Sequence, residues 1–255
     1  MAVRKRTYVD FRRGAPAGAM SQATGLQSAV TDDIVNVVTA PGGVTFEIRN
    51  EQANAQIVPA YVNDTDCTSG WELPLDNTDG DGIEFGQGIL GIADAPYAFK
   101  IGTDGAFKLS VKFGIPVVLD HSLCAVGFRT AQAYGDAMVS AATLDTAYGA
   151  TTNEYALFNI LNGDIYTLTS ATGAAVTATD NTDNWAADAV KTLTVLVSSA
   201  GVVTFQIDGA APTVNTNTLT FATDTYVIPC FIVAKDATAT ADTPPILATW
   251  FCGLQ

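Results

Sequence analysis

The chain has 255 residues, of which 48% are hydrophobic and only 15% are charged, and its formal net charge is −14. This hydrophobic content is sufficient for a large core and excludes a disordered body. The excess of acidic residues excludes a body that wraps nucleic acid, because a phosphate-binding face needs clustered lysine and arginine.

The first 13 residues are basic although the rest of the chain is acidic. They carry Asp10 and five basic residues, which are Arg4, Lys5, Arg6, Arg12 and Arg13. Their formal net charge of +4 leaves −18 for residues 14–255. A short polybasic segment is typical of an anchoring arm, whose partner is an acidic protein surface, nucleic acid or an anionic membrane. The alternative is a solvated tail without a partner.

Residues 14–43 contain five glycines and no sustained alternation, which predicts an extended connector. Such a connector has two places to dock, along a sheet edge of the body or on a neighbour. We therefore predict two parts, an N-terminal arm and connector over residues 1–43 and a β-sandwich domain over residues 44–255.

From residue 44 onward, short apolar or alternating runs are separated by Gly, Asn, Asp and Pro, as in sandwiches and barrels. The run 106–113 places Lys108, Ser110 and Lys112 on a wet face, opposite four apolar residues. The run 190–209 predicts a hairpin whose loop contains Gly201. The other predicted strands are 45–49, 55–62, 83–90, 97–101, 123–129, 155–161, 165–169, 174–179, 226–234 and 246–253. The Ala-rich run 131–142 is a helix candidate that Gly135 interrupts. Together these elements predict an all-β, two-sheet antiparallel jelly-roll sandwich.

Three segments carry a family resemblance. They are a Gly-Phe-Arg strand at 127–129, a Leu-Thr-Val hairpin that ends in Ile207-Asp208-Gly209, and a Tyr-Val-Ile-Pro strand at 226–229. With them, residues 83 to 252 resemble the concanavalin-like (laminin-G-like) jelly-roll structural proteins of tailed-phage virions. The resemblance implies a capsid decoration (cement) protein or a fibre or spike component. Because the same fold also serves lectins and glycan-cleaving enzymes, the function has to be argued from candidate sites.

A calcium site is one such candidate. Asp76, Asp79 and Asp81 lie on a Gly-rich loop, and clustered carboxylates supply the oxygen ligands that Ca²⁺ prefers. Their spacing does not match an EF-hand loop, and the alternative is an exposed Asp/Asn/Gly turn.

Glycan contact is a second candidate, because aromatic rings beside loop Asp and Asn residues can stack on sugars. Trp71 and Trp185 lie in such surroundings. The alternative for both rings is packing in the core, which is also the expectation for Trp250 in the last strand.

Catalysis is disfavoured by the spacing of the reactive residues. Asp120, His121 and Ser122 are adjacent, so on an extended segment their side chains point to opposite faces and form no triad. A glycosidase needs paired carboxylates, whereas Glu72, Glu84 and Glu154 each stand alone. Four widely separated cysteines, Cys67, Cys124, Cys230 and Cys252, predict free thiols and neither a zinc site nor a redox motif.

These observations lead to one hypothesis and its alternatives. The leading hypothesis is a non-enzymatic capsid decoration protein, assembled in the host cytoplasm, on the virion surface, without a cofactor. Its expected partners are the major capsid protein or other virion subunits and further copies of itself, with no nucleic acid through the body and no membrane. The alternative is a glycan- or receptor-binding module of a phage fibre or spike, and a glycosidase is the third possibility.

Overall fold

The computed structural model describes residues 6–13, 21–22, 34–40, 43–50, 59–73, 82–87, 98–118, 123–131, 154–171, 176–216, 218–234 and 244–255. These residues form seventeen β-strands and one 3₁₀ turn, with no α-helix among them. The strands are β1 (Arg6–Asp10), β2 (Ser21–Gln22), β3 (Ile34–Ala40), β4 (Val44–Asn50), β5 (Ala60–Asn63), β6 (Ser69–Glu72), β7 (Gly82–Gly86), β8 (Phe99–Lys100), β9 (Phe107–Gly114), β10 (Leu123–Thr130), β11 (Tyr155–Leu161), β12 (Asp164–Ser170), β13 (Thr177–Asn184), β14 (Val190–Val197), β15 (Val203–Ile207), β16 (Tyr226–Ala234) and β17 (Ile246–Leu254). The 3₁₀ turn, Phe11–Arg13, directly follows β1. In this part of the chain no helix is long and apolar enough to cross a membrane.

The strands form two sheets in which the described strand pairs are antiparallel. The seven-stranded sheet has the order β15-β14-β9-β17-β6-β5, and β1 also pairs with β17. The ten-stranded sheet has the order β13-β12-β11-β10-β16-β7-β4-β3-β2, with β8 paired to β16. Strands that are distant in the chain are thus neighbours in space, as in a jelly roll. The prediction of an all-β, two-sheet antiparallel jelly-roll sandwich is confirmed.

The core lies between the two sheets and is filled by alternate residues of each strand. In β9, the side chains of Phe107, Leu109, Val111 and Phe113 are buried, and the residues between them are partly exposed. This alternation is the period of two that a half-buried strand requires. The same apolar cluster includes residues from both sheets, such as Phe128 of β10.

The N-terminal segment belongs to the body. Strand β1 pairs with β17 from Arg6 opposite Gly253 to Asp10 opposite Thr249, and β3 pairs with β4 along its whole length. Strands on both sides of residue 43 thus share sheets and core, as expected if the N-terminal segment docks along the body, and the division of the chain at residue 43 stays a prediction. Strand β6 pairs only with Ile246 and Leu247 of β17, and β1 pairs with residues 249–253, whose N–H and C=O groups on that side are left open by β6.

Most predicted strands are present, and two have the predicted bounds, β11 and β16. The prediction missed β3, whose sequence IVNVVTA lacks strict alternation, and β6, which is short and contains Gly70. Apart from Ala131, the predicted helix at 131–142 lies outside the described residues.

Candidate functional site

Phe11 fixes the N-terminal segment on the sandwich. Its side chain is fully buried, and its ring centroid lies 4.8 Å from that of Trp71, 5.6 Å from that of Phe46 and 6.0 Å from that of Phe85. Val9, two residues earlier, is also buried. Because burial of one large aromatic side chain contributes about 1.5–3 kcal/mol, the segment is held by its apolar residues as well as by strand pairing.

The carboxylate of Asp10 organises the basic residues of the 3₁₀ turn. The side chain of Arg12 donates two hydrogen bonds to it, from Nε to Oδ1 at 2.7 Å and from Nη2 to Oδ2 at 3.0 Å, and the backbone N–H of Arg12 donates a third to Oδ1 at 3.2 Å. Arg13 Nε lies 3.5 Å from Oδ2. The hydrogen bond from Arg12 is the main cause that lowers the pKa of Asp10, and the same bond raises the pKa of Arg12. The side chains of Arg12 and Arg13 are 43% and 76% exposed, so both guanidinium groups still face solvent.

The structure therefore places three of the five predicted anchoring residues. Arg6 is exposed, with its guanidinium carbon 5.3 Å from the centroid of the Phe251 ring. Arg6, Arg12 and Arg13 belong to one strand and its following turn, a segment that pairs with β17 and buries Val9 and Phe11. Arg4 and Lys5 lie outside the described residues. The anchoring role of all five stays a prediction.

The two tryptophans proposed for glycan contact are in the core. Trp71 is 0% exposed and packs against Phe11, and Trp185 is 2% exposed and stacks on Phe113 with ring centroids 4.6 Å apart. The indole Nε1 of Trp185 donates a hydrogen bond to the carbonyl oxygen of Ala189 at 3.0 Å. Neither ring presents a face to a sugar in this structure, so the glycan-contact prediction is corrected to its alternative, core packing. Trp250 is also fully buried, as predicted.

The buried carboxylates are engaged by the protein itself. Glu84 accepts hydrogen bonds from Nε and Nη2 of Arg129, at 2.6 and 3.1 Å, and both side chains are 0% exposed. Glu154, 5% exposed, accepts a hydrogen bond from the backbone N–H of Ala222 at 3.0 Å. A general acid or base must reach a substrate, and these two carboxylates face protein groups instead.

The predicted calcium ligands Asp76, Asp79 and Asp81 lie outside the described residues. Within the described part of the chain, no group of three or more His, Cys, Asp or Glu side chains has a geometry that could hold a metal ion. The carboxylate of Asp183 in β13 instead accepts two hydrogen bonds from Thr213, at 2.8 and 2.9 Å. Asp183 therefore links β13 to the segment between β15 and β16 by hydrogen bonds.

The four cysteines are free thiols, as predicted. Burial raises the pKa of Cys124, Cys230 and Cys252, which lie within the apolar core regions. Burial, with smaller contributions from the nearby carboxylates of Asp64 and Asp188, raises the pKa of Cys67 to about 11. Because the thiolate is the reactive form, none of these thiols is suited to act as a nucleophile.

Sequence reasoning missed the two features that shape this site. It treated Glu84 as a lone carboxylate, although Arg129 lies 45 positions further along the chain and meets it in the fold. It also assigned no role to Phe11. A signal was present in both cases, because an arginine inside an apolar run and an aromatic residue inside a basic segment each break the local pattern.

No protein-family model and no curated protein matches this chain. Among solved structures, it is similar to a protein of unknown function from Shewanella oneidensis MR-1, with 13% identity over 97% of this chain and 85% of that one and a TM-score of 0.48. It is also similar to a Bacillus licheniformis β-glucanase, with 10% identity over 98% of each chain and a TM-score of 0.46. The metal-free carbohydrate recognition domain of Emp46p gives 7% identity over 82% of this chain and 87% of that one, with a TM-score of 0.49. At these TM-scores the three likenesses carry no argument about function.

Proposed function

We propose that this protein is a non-enzymatic structural component of a tailed-phage virion that decorates the capsid, with its basic N-terminal segment at the contact. Under this proposal the protein strengthens the shell mechanically, because interface area that bridges capsid subunits must be broken before the shell expands or bursts. The family resemblance of residues 83 to 252 is the origin of the proposal.

The observation that carries the proposal is the docking of residues 6–13 on the seven-stranded sheet. Strand pairing and the buried ring of Phe11 fix this segment, so Arg6, Arg12 and Arg13 are presented by a rigid surface. A preorganised basic surface loses less conformational entropy on binding than a free tether, which favours a lasting contact. Arg is well suited to paired contacts with carboxylates on such a partner.

The state of the buried carboxylates supports a function without catalysis. Glu84 is neutralised by Arg129, and the Glu154 carboxylate is held by a backbone N–H. Since a glycosidase needs two carboxylates that face a substrate, these two residues do not provide that pair.

The alternative, a glycan- or receptor-binding module of a fibre or spike, relied on two aromatic residues and on a candidate calcium site, whose residues Asp76, Asp79 and Asp81 lie outside the described residues. Trp71 and Trp185 pack in the core. The alternative remains as one outcome of the experiment below.

The experiment locates the protein on particles of a tailed phage that encodes this chain. We expect immunogold label on the capsid and, by quantitative mass spectrometry, a fixed ratio of this protein to the major capsid protein. Label confined to fibres or spikes would favour the alternative, and absence from purified particles would end the proposal.

A second measurement tests the basic segment. A deletion of residues 1–20 removes β1 and Phe11 and therefore disturbs folding together with anchoring. The double variant Arg4→Glu, Lys5→Glu reverses two charges and leaves the residues of β1 and Phe11 unchanged. We expect it to lower the affinity for particles that lack the protein by about tenfold or more, whereas the control Lys191→Glu, in β14, leaves the affinity near that of the wild type. Equal affinities for the two variants would show that Arg4 and Lys5 do not anchor the protein.

A further inference from the structure

The outer face of the seven-stranded sheet carries cations and aromatic rings together. In the strand register, Tyr8 lies opposite Phe251, and Arg6 lies opposite Gly253, which lies opposite Lys108. Lys112 lies on the same face of β9, four residues after Lys108. We call Arg6, Tyr8, Lys108, Lys112 and Phe251 the cationic face.

The ring of Phe251 holds two of these cations in place. The guanidinium carbon of Arg6 and the ammonium nitrogen of Lys108 each lie 5.3 Å from the ring centroid. Gly253, which has no side chain, is the residue between Arg6 and Lys108 in the register. Both long side chains therefore extend past Gly253 to the ring, and each makes a cation–π contact with it.

Arg6, Lys108 and Lys112 differ from five other described cations because they form no ion pair with a carboxylate of a described residue. No ion pair formed among the described residues includes Arg6, Lys108 or Lys112. Five other described cations each lie within 4.0 Å of a carboxylate oxygen, namely Arg12, Arg13, Lys100, Arg129 and Lys191. Asp10 lies on the same face, across Thr249 from Lys112, but its carboxylate is paired with Arg12 and Arg13. In a chain with a formal net charge of −14, three cations on one sheet face without an ion-pair partner favour contact with an external anionic group.

The shape and composition of the cationic face suit a protein partner. Tyr8 is 59% exposed and Phe251 is partly exposed. Their row of the sheet lies between the row of Arg6 and Lys108 and the row of Lys112, so exposed aromatic surface separates the cations. Beside them, Thr194 Oγ1 donates a hydrogen bond to Ser110 Oγ at 2.9 Å, which fixes the polar rows of β9 and β14. Tyrosine, phenylalanine and arginine are enriched in protein interfaces, and a sheet face offers a broad surface.

We propose that the cationic face binds an acidic surface of a partner protein, with carboxylates against Arg6, Lys108 and Lys112 and apolar groups against Tyr8 and Phe251. This proposal rests on the proposed function, for which it names the contact surface and the chemistry of the partner. A nucleic acid is the less fitting ligand, because a phosphate backbone is bound by clustered lysine and arginine, whereas this face presents three cations around two aromatic rings.

The experiment measures binding of poly-L-glutamate, heparin and duplex DNA to the full chain by isothermal titration at low and at physiological salt. The test variant is the double substitution Lys108→Glu, Lys112→Glu. The control is Lys100→Glu, which makes the same type of charge change on β8 of the other sheet. The double variant Lys108→Gln, Lys112→Gln removes the charge without reversing it, and circular dichroism verifies that every variant is folded.

We expect the wild type to bind poly-L-glutamate, more weakly as salt increases, since exposed charges are screened. The glutamate double variant is expected to weaken this binding by about tenfold or more, the glutamine variant by less, and Lys100→Glu by less than about twofold. Tyr8→Ala is expected to weaken it as well without changing its salt dependence.

Three results overturn the proposal. They are no binding of poly-L-glutamate by the wild type, the same affinity in the glutamate double variant and in Lys100→Glu, or capture of heparin or DNA without poly-L-glutamate. The particle experiment distinguishes this proposal from the proposed function. If the wild type is found on the capsid and the variant Lys108→Glu, Lys112→Glu still occupies the capsid fully, the proposed function stands and the cationic face is not the contact surface.

Discussion

Arg129 and Glu84 form a two-hydrogen-bond ion pair in which both side chains are completely buried. They lie on β10 and β7, the two strands that flank β16 in the ten-stranded sheet. The third guanidinium nitrogen of Arg129, Nη1, donates a hydrogen bond to the carbonyl oxygen of Thr130 at 3.0 Å. The pair therefore ties together strands that are distant in the chain, next to the small apolar cluster that includes Ile232 and Cys230.

Removal of one partner of this pair should destabilise the protein strongly. Glu84→Gln leaves the charge of Arg129 buried and uncompensated, and we expect the free energy of unfolding to fall by about 3–5 kcal/mol. Urea denaturation followed by tryptophan fluorescence measures it. The control replaces both partners, Glu84→Met with Arg129→Leu, and should lose less than the single variant because no unpaired charge remains. A single variant as stable as the wild type would contradict this account of the pair.

Phe11 and Tyr8 lie three residues apart in the N-terminal segment and provide a matched pair for its docking. Phe11→Ala leaves a cavity among Phe46, Trp71 and Phe85, and we expect it to cost about 3–5 kcal/mol of unfolding free energy. Tyr8→Ala removes a side chain that is 59% exposed and should change stability by about 0.5 kcal/mol or less. Thermal and urea unfolding compare the two variants. Similar losses for both would mean that the segment does not fill the core.

The sequence was sufficient to predict the fold but not the pairing of the N-terminal strand β1 with the last strand, β17. Alternation in residues 106–113 and the hairpin at 190–209 were sufficient to predict β9, β14 and β15, because side chains on a half-buried strand follow a period of two. The same reasoning missed β1, where basic residues hide the alternation of Thr7 and Val9 on the core side.

The candidate site was less predictable for a physical reason. Contacts such as Glu84 with Arg129, or Arg6 and Lys108 with Phe251, join residues from different strands and depend on the strand order. Local pattern does not determine strand order, because the register of a sheet is set by long-range packing. The basic segment was visible in the sequence, whereas its place beside the last strand was not.

Gly127 gives a physical reason for the glycine in the Gly-Phe-Arg strand. A Cβ atom at this position would collide with the backbone carbonyl oxygen of Ala156 on the neighbouring strand β11. We therefore expect Gly127→Ala to cost about 1–3 kcal/mol or more of unfolding free energy, since a backbone atom cannot move aside easily. The control is Gly105→Ala, where a Cβ would meet no atom within 4 Å, and it should change stability by about 0.5 kcal/mol or less. Equal stability of the two variants in urea would show that β10 and β11 can separate without loss.

Asp10 should make the docking of the N-terminal segment sensitive to acid. Its hydrogen bond with Arg12 lowers the pKa of the folded-state carboxyl below the unfolded value of about 3.9. In the range between these two values the unfolded chain binds more protons, so the stability that Asp10 contributes is complete above about pH 4 and is lost as the pH falls through the folded-state pKa. We expect Asp10→Asn to reduce the free energy of unfolding by about 1 kcal/mol or less at neutral pH, since Arg12 is partly exposed, and the difference from the wild type to shrink in acid.

Urea unfolding of the wild type and Asp10→Asn at neutral pH and at successively lower pH measures this difference. Arg12→Gln is the control background, because without the guanidinium the effect of Asp10→Asn at neutral pH should be much smaller. A difference that stays constant or grows on acidification would mean that the Asp10 carboxylate gains nothing from Arg12. In that case strand pairing and the ring of Phe11 alone would hold the basic segment on the sheet.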